Sequence, residues 1–137
     1  MRKRSRKGLV KQLDSVFSEY IRLKYSNKLG RVNCYTCGKS GFWKGQGMQN
    51  GHWISRAKRI LRWDERNCRV QCYACNCARY GESYLFALNL NKEYGYDIAA
   101  ELLQESKKII KHSDDDLKEL IKYYKESIEN RKKELYL

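Results

Sequence analysis

The chain has no proline, only two histidines and no long apolar run. The missing proline removes the commonest helix breaker, so breaks between elements must come from glycine and from caps. No run is long enough to span a membrane, and no apolar segment of signal-peptide type follows the basic N-terminus. A cytoplasmic, reduced chain without a membrane partner is the expectation. In such a chain paired cysteines read as metal ligands rather than disulfides. Acids are scarce where bases are dense. Residues 1–80 hold 19 of the 29 Lys and Arg but four of the 16 Asp and Glu, a net of +15, while residues 81–137 carry −2. Solubility alone would not concentrate positive charge in this way, and no long basic amphipathic helix suits an anionic membrane. Nucleic acid is the simplest polyanion partner.

What is present is organised by cysteine. Cys34, Cys37, Cys72 and Cys75 form two Cys-x-x-Cys pairs separated by a long insert. That spacing places four thiolates around one Zn²⁺, with both turns offering backbone N–H groups to the sulfurs. A redox motif needs one pair and would leave the second unexplained. Four thiolates leave no open position, so the zinc is structural. Cys68 and Cys77 fall outside the pattern and read as small buried residues. The clamped segment is polar and rich in Gly and Arg, too poor a core to stand without a metal.

At 137 residues the chain is one domain, or one small domain with a helical extension. Residues 1–7 read as a basic arm, either a solubilising tail or a source of phosphate contacts. From Gly8 to Tyr25 the apolar spacing is helical. Arg31 to Lys39 reads as strand, metal knuckle and strand, and Ser40 to Gly47 as a loop. Met48 to Ser55 and Asn67 to Gln71 read as a hairpin, joined by a basic connection and followed by the second knuckle and a helix. Helices are expected over 82–94, stopped by Gly95, and over 98–111, capped by Asp97. Ser113 and Asp116 have capping-box spacing before a last helix carrying Leu117, Leu120, Ile121, Tyr124, Ile128 and Leu135. The fold class is α+β, divided as residues 1–7, 8–95 and 96–137. The last part is the expected homodimer surface.

His52 lies between Gly51 and Trp53 inside the clamped segment, whereas His112 lies in a polar linker. A neutral imidazole takes a proton from water near neutral pH, provided an acceptor orients its second nitrogen. The side-chain carbonyl of Asn67 is a candidate for that acceptor. A lone histidine beside an aromatic is more often structural, and spacing alone does not choose. Arg56, Lys58, Arg59, Arg62, Arg66 and Arg69 suit phosphates, each also readable as an exposed charge. Trp53 reads as a core anchor, while Trp43 is open between core and base contact.

The order Cys-x-x-Cys, Gly51-His52, Asn67, Cys72-x-x-Cys75-Asn76 resembles the His-Asn-His (ββα-metal) nuclease superfamily. The fragments Cys34-Tyr35-Thr36-Cys37-Gly38, Gly51-His52-Trp53-Ile54-Ser55-Arg56, Leu61-Arg62-Trp63-Asp64-Glu65-Arg66-Asn67 and Gln71-Cys72-Tyr73-Ala74-Cys75-Asn76 resemble more closely the phage NinG (Rap) recombination-protein family. The resemblance implies a zinc-clamped ββα-metal core between an N-terminal helix and a C-terminal helical extension. It implies a structure-specific endodeoxyribonuclease that cleaves Holliday junctions and other branched recombination intermediates in the host cytoplasm. His52 would be the general base, Asn67 its orienting partner and Asn76 a ligand of a catalytic Mg²⁺ or Mn²⁺, leaving 5′ phosphate and 3′ hydroxyl ends. Many superfamily members carry a metal-binding Asp directly before the histidine, where this chain has Gly51. Asp64, Glu65 and Glu82 are the nearby acids that would replace it. Without such a carboxylate, the alternative is a zinc-stabilised accessory protein that binds branched DNA without cutting it.

Overall fold

Leu9, Leu13, Phe17 and Ile21 recur every four residues and fold the first segment into α1 (Arg6–Lys24), all four fully buried. The computed structural model describes residues 4–45 and 47–137. Ser5 caps α1, its hydroxyl accepting from the Gly8 N–H at 3.1 Å. The helix therefore begins before the expected Gly8 and takes up Arg6 and Lys7 of the basic arm. Residues 1–3 of that arm lie outside the described residues.

β1 (Arg31–Asn33) and β2 (Ser40–Phe42) pair antiparallel around the first cysteine turn, with Arg31 opposite Phe42. Sequence placed Ser40–Phe42 in a loop. The turn at Cys34–Cys37 instead returns the chain directly into register with β1. The second hairpin joins β3 (Met48–His52) to β4 (Cys68–Cys72), with Met48 opposite Cys72 and His52 opposite Cys68. Its connection contains a short α2 (Arg59–Arg62) and a 3₁₀ turn at Glu65–Asn67.

Side chains alternate along a strand, and β4 is buried on both faces. Cys68, Val70 and Cys72 join a cluster with α1 and with α5 (Asp114–Leu135). Arg69 and Gln71 point the other way. Arg69 reaches Glu93 of α3 (Ser83–Tyr94) at 2.6 Å, and the Gln71 amide donates to the Gly81 carbonyl at 2.9 Å. A second cluster of Leu61, Phe86, Leu90, Ile98 and Leu102 seats α3 and α4 (Ile98–Glu105) on the hairpin connection. α4 stops well before the expected residue 111. Ile109 is 99% exposed, so no core face rewards further turns there.

α5 starts at the expected capping box, with Asp116 N–H donating to Ser113 Oγ and Ser113 N–H to Asp116 Oδ2. Its Leu117, Ile121, Tyr124 and Ile128 pack into the α1 cluster, and Tyr124 meets Phe17 edge-on at 4.9 Å. Those positions were the sequence basis for a dimer surface, and they are buried within one chain. Arg131 donates to the carbonyls of Leu23, Lys24 and Ser26, closing the C-terminal end of α1. Among the described residues no helix is long and apolar enough to cross a membrane.

Candidate functional site

The four expected cysteines converge. The sulfurs of Cys34, Cys37, Cys72 and Cys75 lie within 4.8 Å of one another, and Cys37 Sγ is 3.7 Å from Cys72 Sγ. Zinc–sulfur bonds of about 2.3 Å at tetrahedral angles put sulfurs roughly 3.8 Å apart, so the cluster fits Zn²⁺. The Cys75 N–H donates to Cys72 Sγ at 3.5 Å, the turn geometry that stabilises a ligating thiolate. The Lys39 backbone favours the ionised form of Cys37. Burial and the sulfurs of Cys34, Cys72 and Cys75 outweigh it and push that thiol up to about 12. A divalent cation removes that repulsion.

The clamp carries the next residue with it. After Cys72 the chain makes a single π turn at Ala74–Ala78, with the Arg79 N–H donating to the Ala74 carbonyl at 2.8 Å. Asn76 sits on this turn and donates to Gln49 Oε1 of β3 at 2.7 Å. It thereby lines a crevice of about 460 Å³ together with Gln49, Asn50, His52, Arg56 and, from α1, Asp14. His52 and Asn50 stand on the β3 face that looks toward α1.

His52 Nε2 is 2.8 Å from the Arg62 carbonyl oxygen. A carbonyl accepts only, so Nε2 carries the hydrogen and Nδ1 keeps its lone pair. Burial holds the imidazole below the ordinary histidine range. The Arg62 carbonyl and Asp14 oppose that shift, while the charges of Arg56 and Arg62 add to it. The ring is thus a neutral base at neutral pH.

Asn67 does not touch this ring. Its Oδ1 accepts from the Ile54 N–H at 2.8 Å, and its Nδ2 donates to the Ile54 and Leu61 carbonyls. Fully buried, it staples the hairpin connection, and Arg62 of that connection orients His52. The role assigned to the Asn67 side chain therefore passes to a backbone oxygen.

The arginines divide. Arg56 lines the crevice, while Lys58 and Arg59 are exposed outside it, Arg59 lying over the Trp63 ring. Arg69 is 1% exposed, ion-paired with Glu93 and stacked near Tyr25, Tyr35 and Tyr94, so it is a core residue and not a phosphate contact. Arg62 pairs with Asp14, and Arg66 with Asp64. The three acids proposed as metal ligands are also engaged elsewhere or lie outside the crevice. Asp64 caps the 3₁₀ turn, Glu65 meets Lys24 and Tyr124, and Glu82 precedes α3 in a left-handed conformation. None lines the crevice. Trp43 is a core residue, and Trp53 donates to the Ser83 carbonyl. His112 lies edge-on to Trp63, away from His52.

Among the described residues Asp14 is the one carboxylate lining the crevice, and sequence reasoning passed over it. Its signal was available: it is one of four acids among the first 80 residues, next to the buried Leu13.

A family model described as "Bacteriophage Lambda NinG protein" matches residues 1–134. The chain belongs to the NinG family. Neither curated proteins nor solved structures give a match. In this NinG-family chain the position before the histidine is closed to a metal-binding carboxylate. A Cβ on Gly51 would stand 2.0 Å from Gln71 Oε1, on the strand face opposite His52. Gly51→Asp is therefore expected to destabilise the fold by about 1–3 kcal/mol, without adding a metal ligand. Urea unfolding checks the first part. Divalent-cation titration of the free variant, which should match wild type, checks the second.

Proposed function

We propose that the chain is a metal-dependent, structure-specific DNA endonuclease acting on branched recombination intermediates such as Holliday junctions. One observation carries this reading. His52 is held as a neutral base, with Nδ1 available, in a crevice that also holds Arg56 and Asn76. Nδ1 takes a proton from water as the water oxygen attacks phosphorus, and the bond to the 3′ oxygen breaks, that oxygen taking a proton from solvent water as it leaves. The products are a 5′ phosphate and a 3′ hydroxyl. Arg56 holds the scissile phosphate, and Lys58 and Arg59 extend the contact along a duplex arm. The Asn76 Oδ1 has no hydrogen-bond partner among the described residues and is the oxygen offered to a cation. A single neutral amide is a sparse site for a hard ion, which takes its other oxygens from phosphate and water. When bound, Mg²⁺ or Mn²⁺ supplies charge stabilisation at the phosphate and the departing oxygen.

A homodimer would place one His52 on each of two opposed strands of a two-fold junction. With α5 committed to α1, such pairing would use the exposed Leu103, Ile109, Ile110 and Tyr123. The closed position at Gly51 favours a second reading, a branched-DNA-binding accessory protein without catalysis.

Labelled four-way junction, flap and linear duplex, incubated with several divalent cations, separate the two. The nuclease nicks branched DNA only with the cation. Tight binding with no cleavage under any cation identifies the accessory protein. The pH profile adds a sign. Because the imidazole titrates below its ordinary value, the rate should stay flat from about pH 8 down to about 6.5 and fall only below that. A limb above pH 7 would exclude His52 as the base.

A further inference from the structure

The acceptor that orients His52 belongs to the peptide between Arg62 and Trp63. Both flanking side chains are pinned by one carboxylate. Asp14 accepts from Arg62 Nε at 2.9 Å and Nη2 at 2.5 Å, and from the Trp63 indole N–H at 3.0 Å. Arg62 Nη1 also donates to the Arg56 carbonyl at 3.3 Å, so the same clamp ties down the crevice arginine. The pair is shielded, with side-chain exposures of 13% for Arg62 and 24% for Asp14. Asp14 itself lines the crevice with His52. It comes from α1, outside the hairpin and the π turn.

We infer that Asp14 is a positioning residue for His52: through Arg62 and Trp63 it fixes the peptide whose carbonyl holds the imidazole, and its charge acts on the ring across the crevice. The inference rests on His52 being the general base. Two effects follow. A peptide gripped on both sides cannot rotate, so its oxygen stays in the plane where Nε2–H donates and Nδ1 stays aimed into the crevice. The carboxylate also offsets two cations. The charged groups acting on the ring are Asp14 from α1 and Arg56 and Arg62 from the hairpin connection. From β4 it faces Cys68, whose buried thiol is pushed well above its ordinary range and stays neutral. Asp14 is thus the one negative charge among them. Removing it lowers the basicity of Nδ1 and loosens its aim.

The test is Asp14→Asn, which keeps the size and one acceptor oxygen but loses the charge and the two-oxygen grip. Arg62→Lys is the second variant, keeping the backbone carbonyl and the cation. Junction cleavage by Asp14→Asn should show kcat lowered by about 10²-fold, KM unchanged within about threefold, and the acid limb moved to lower pH. Arg62→Lys should show the kcat loss with little movement of the limb. Ring-nitrogen NMR of His52 without DNA or cation reads the same group independently of cleavage. In wild type Nε2 carries the hydrogen, and in Asp14→Asn the titration moves to lower pH. If the melting temperature falls while the limb and the NMR titration stay put, Asp14 is only an ion-pair link and the inference is overturned. A changed Mg²⁺ dependence with an unmoved limb also overturns it, making Asp14 a metal ligand. If wild type cuts nothing yet the NMR titration shifts as expected, the nuclease reading fails and the positioning of His52 stands.

Discussion

His52→Ala should lower cleavage of branched DNA by about 10²- to 10⁴-fold, the usual contribution of a positioned general base. The chain offers no second imidazole to take over, because His112 lies against Trp63. Folding should survive. His52 sits at the end of β3, and the ladder from Met48 to Gly51 is made by backbone atoms that the substitution leaves alone. Zinc content should also survive, since the cluster is formed by four cysteines and His52 is not one of its members. Binding to a junction should change little, because Arg56, Lys58 and Arg59 remain. Cleavage rates, bound zinc and junction affinity measured on one preparation check the three statements together. A variant that still cuts at the wild-type rate removes His52 from the chemistry.

Loss of the zinc should be the largest effect on stability. Structural zinc in small peptides is worth about 10–16 kcal/mol near pH 7, comparable to or above the whole stability of a domain this size. Cys72 is 2% exposed and closes β4, and its neighbours in the cluster reach α1 and α5. Cys72→Ser, or treatment with a strong chelator, should abolish the cooperative thermal transition of the whole chain. Wild type should carry one zinc per chain by elemental analysis. A Cys72→Ser protein that melts like wild type would mean that the cluster binds no structural ion. The same treatment should end cleavage indirectly, because Asn76 is placed by the turn that Cys72 and Cys75 hold.

Different parts of this architecture were legible to different degrees. The cysteine pairs were plain, because metal ligation demands a residue type at a fixed spacing. So were α1, the Gly95 stop and the Ser113 cap, which follow from local rules. His52 was nominated by residue type and by resemblance, but its partner was not foreseeable. A backbone carbonyl has no letter in a sequence, so only side chains such as Asn67, with an amide oxygen and a matching motif position, could stand as candidates. Arg69 was misread for a related reason. Composition counts a cation as surface charge, while its burial depends on Glu93 and three tyrosine rings distant in the chain. Asp14 was missed because helical periodicity marks the apolar face of α1 and is silent about a lone acid beside it.

The pairing of α1 with α5 has a temporal consequence. On a ribosome the first helix emerges long before the helix that covers it, so its buried stripe waits for α5. The hairpin and zinc knuckles, being local, can assemble earlier. Asp14 lies on that first helix, so the crevice it lines is complete only once α1 and α5 have paired. A chain shortened before α5 would keep the four cysteines but lack the helix that holds α1, and with it Asp14, against the crevice.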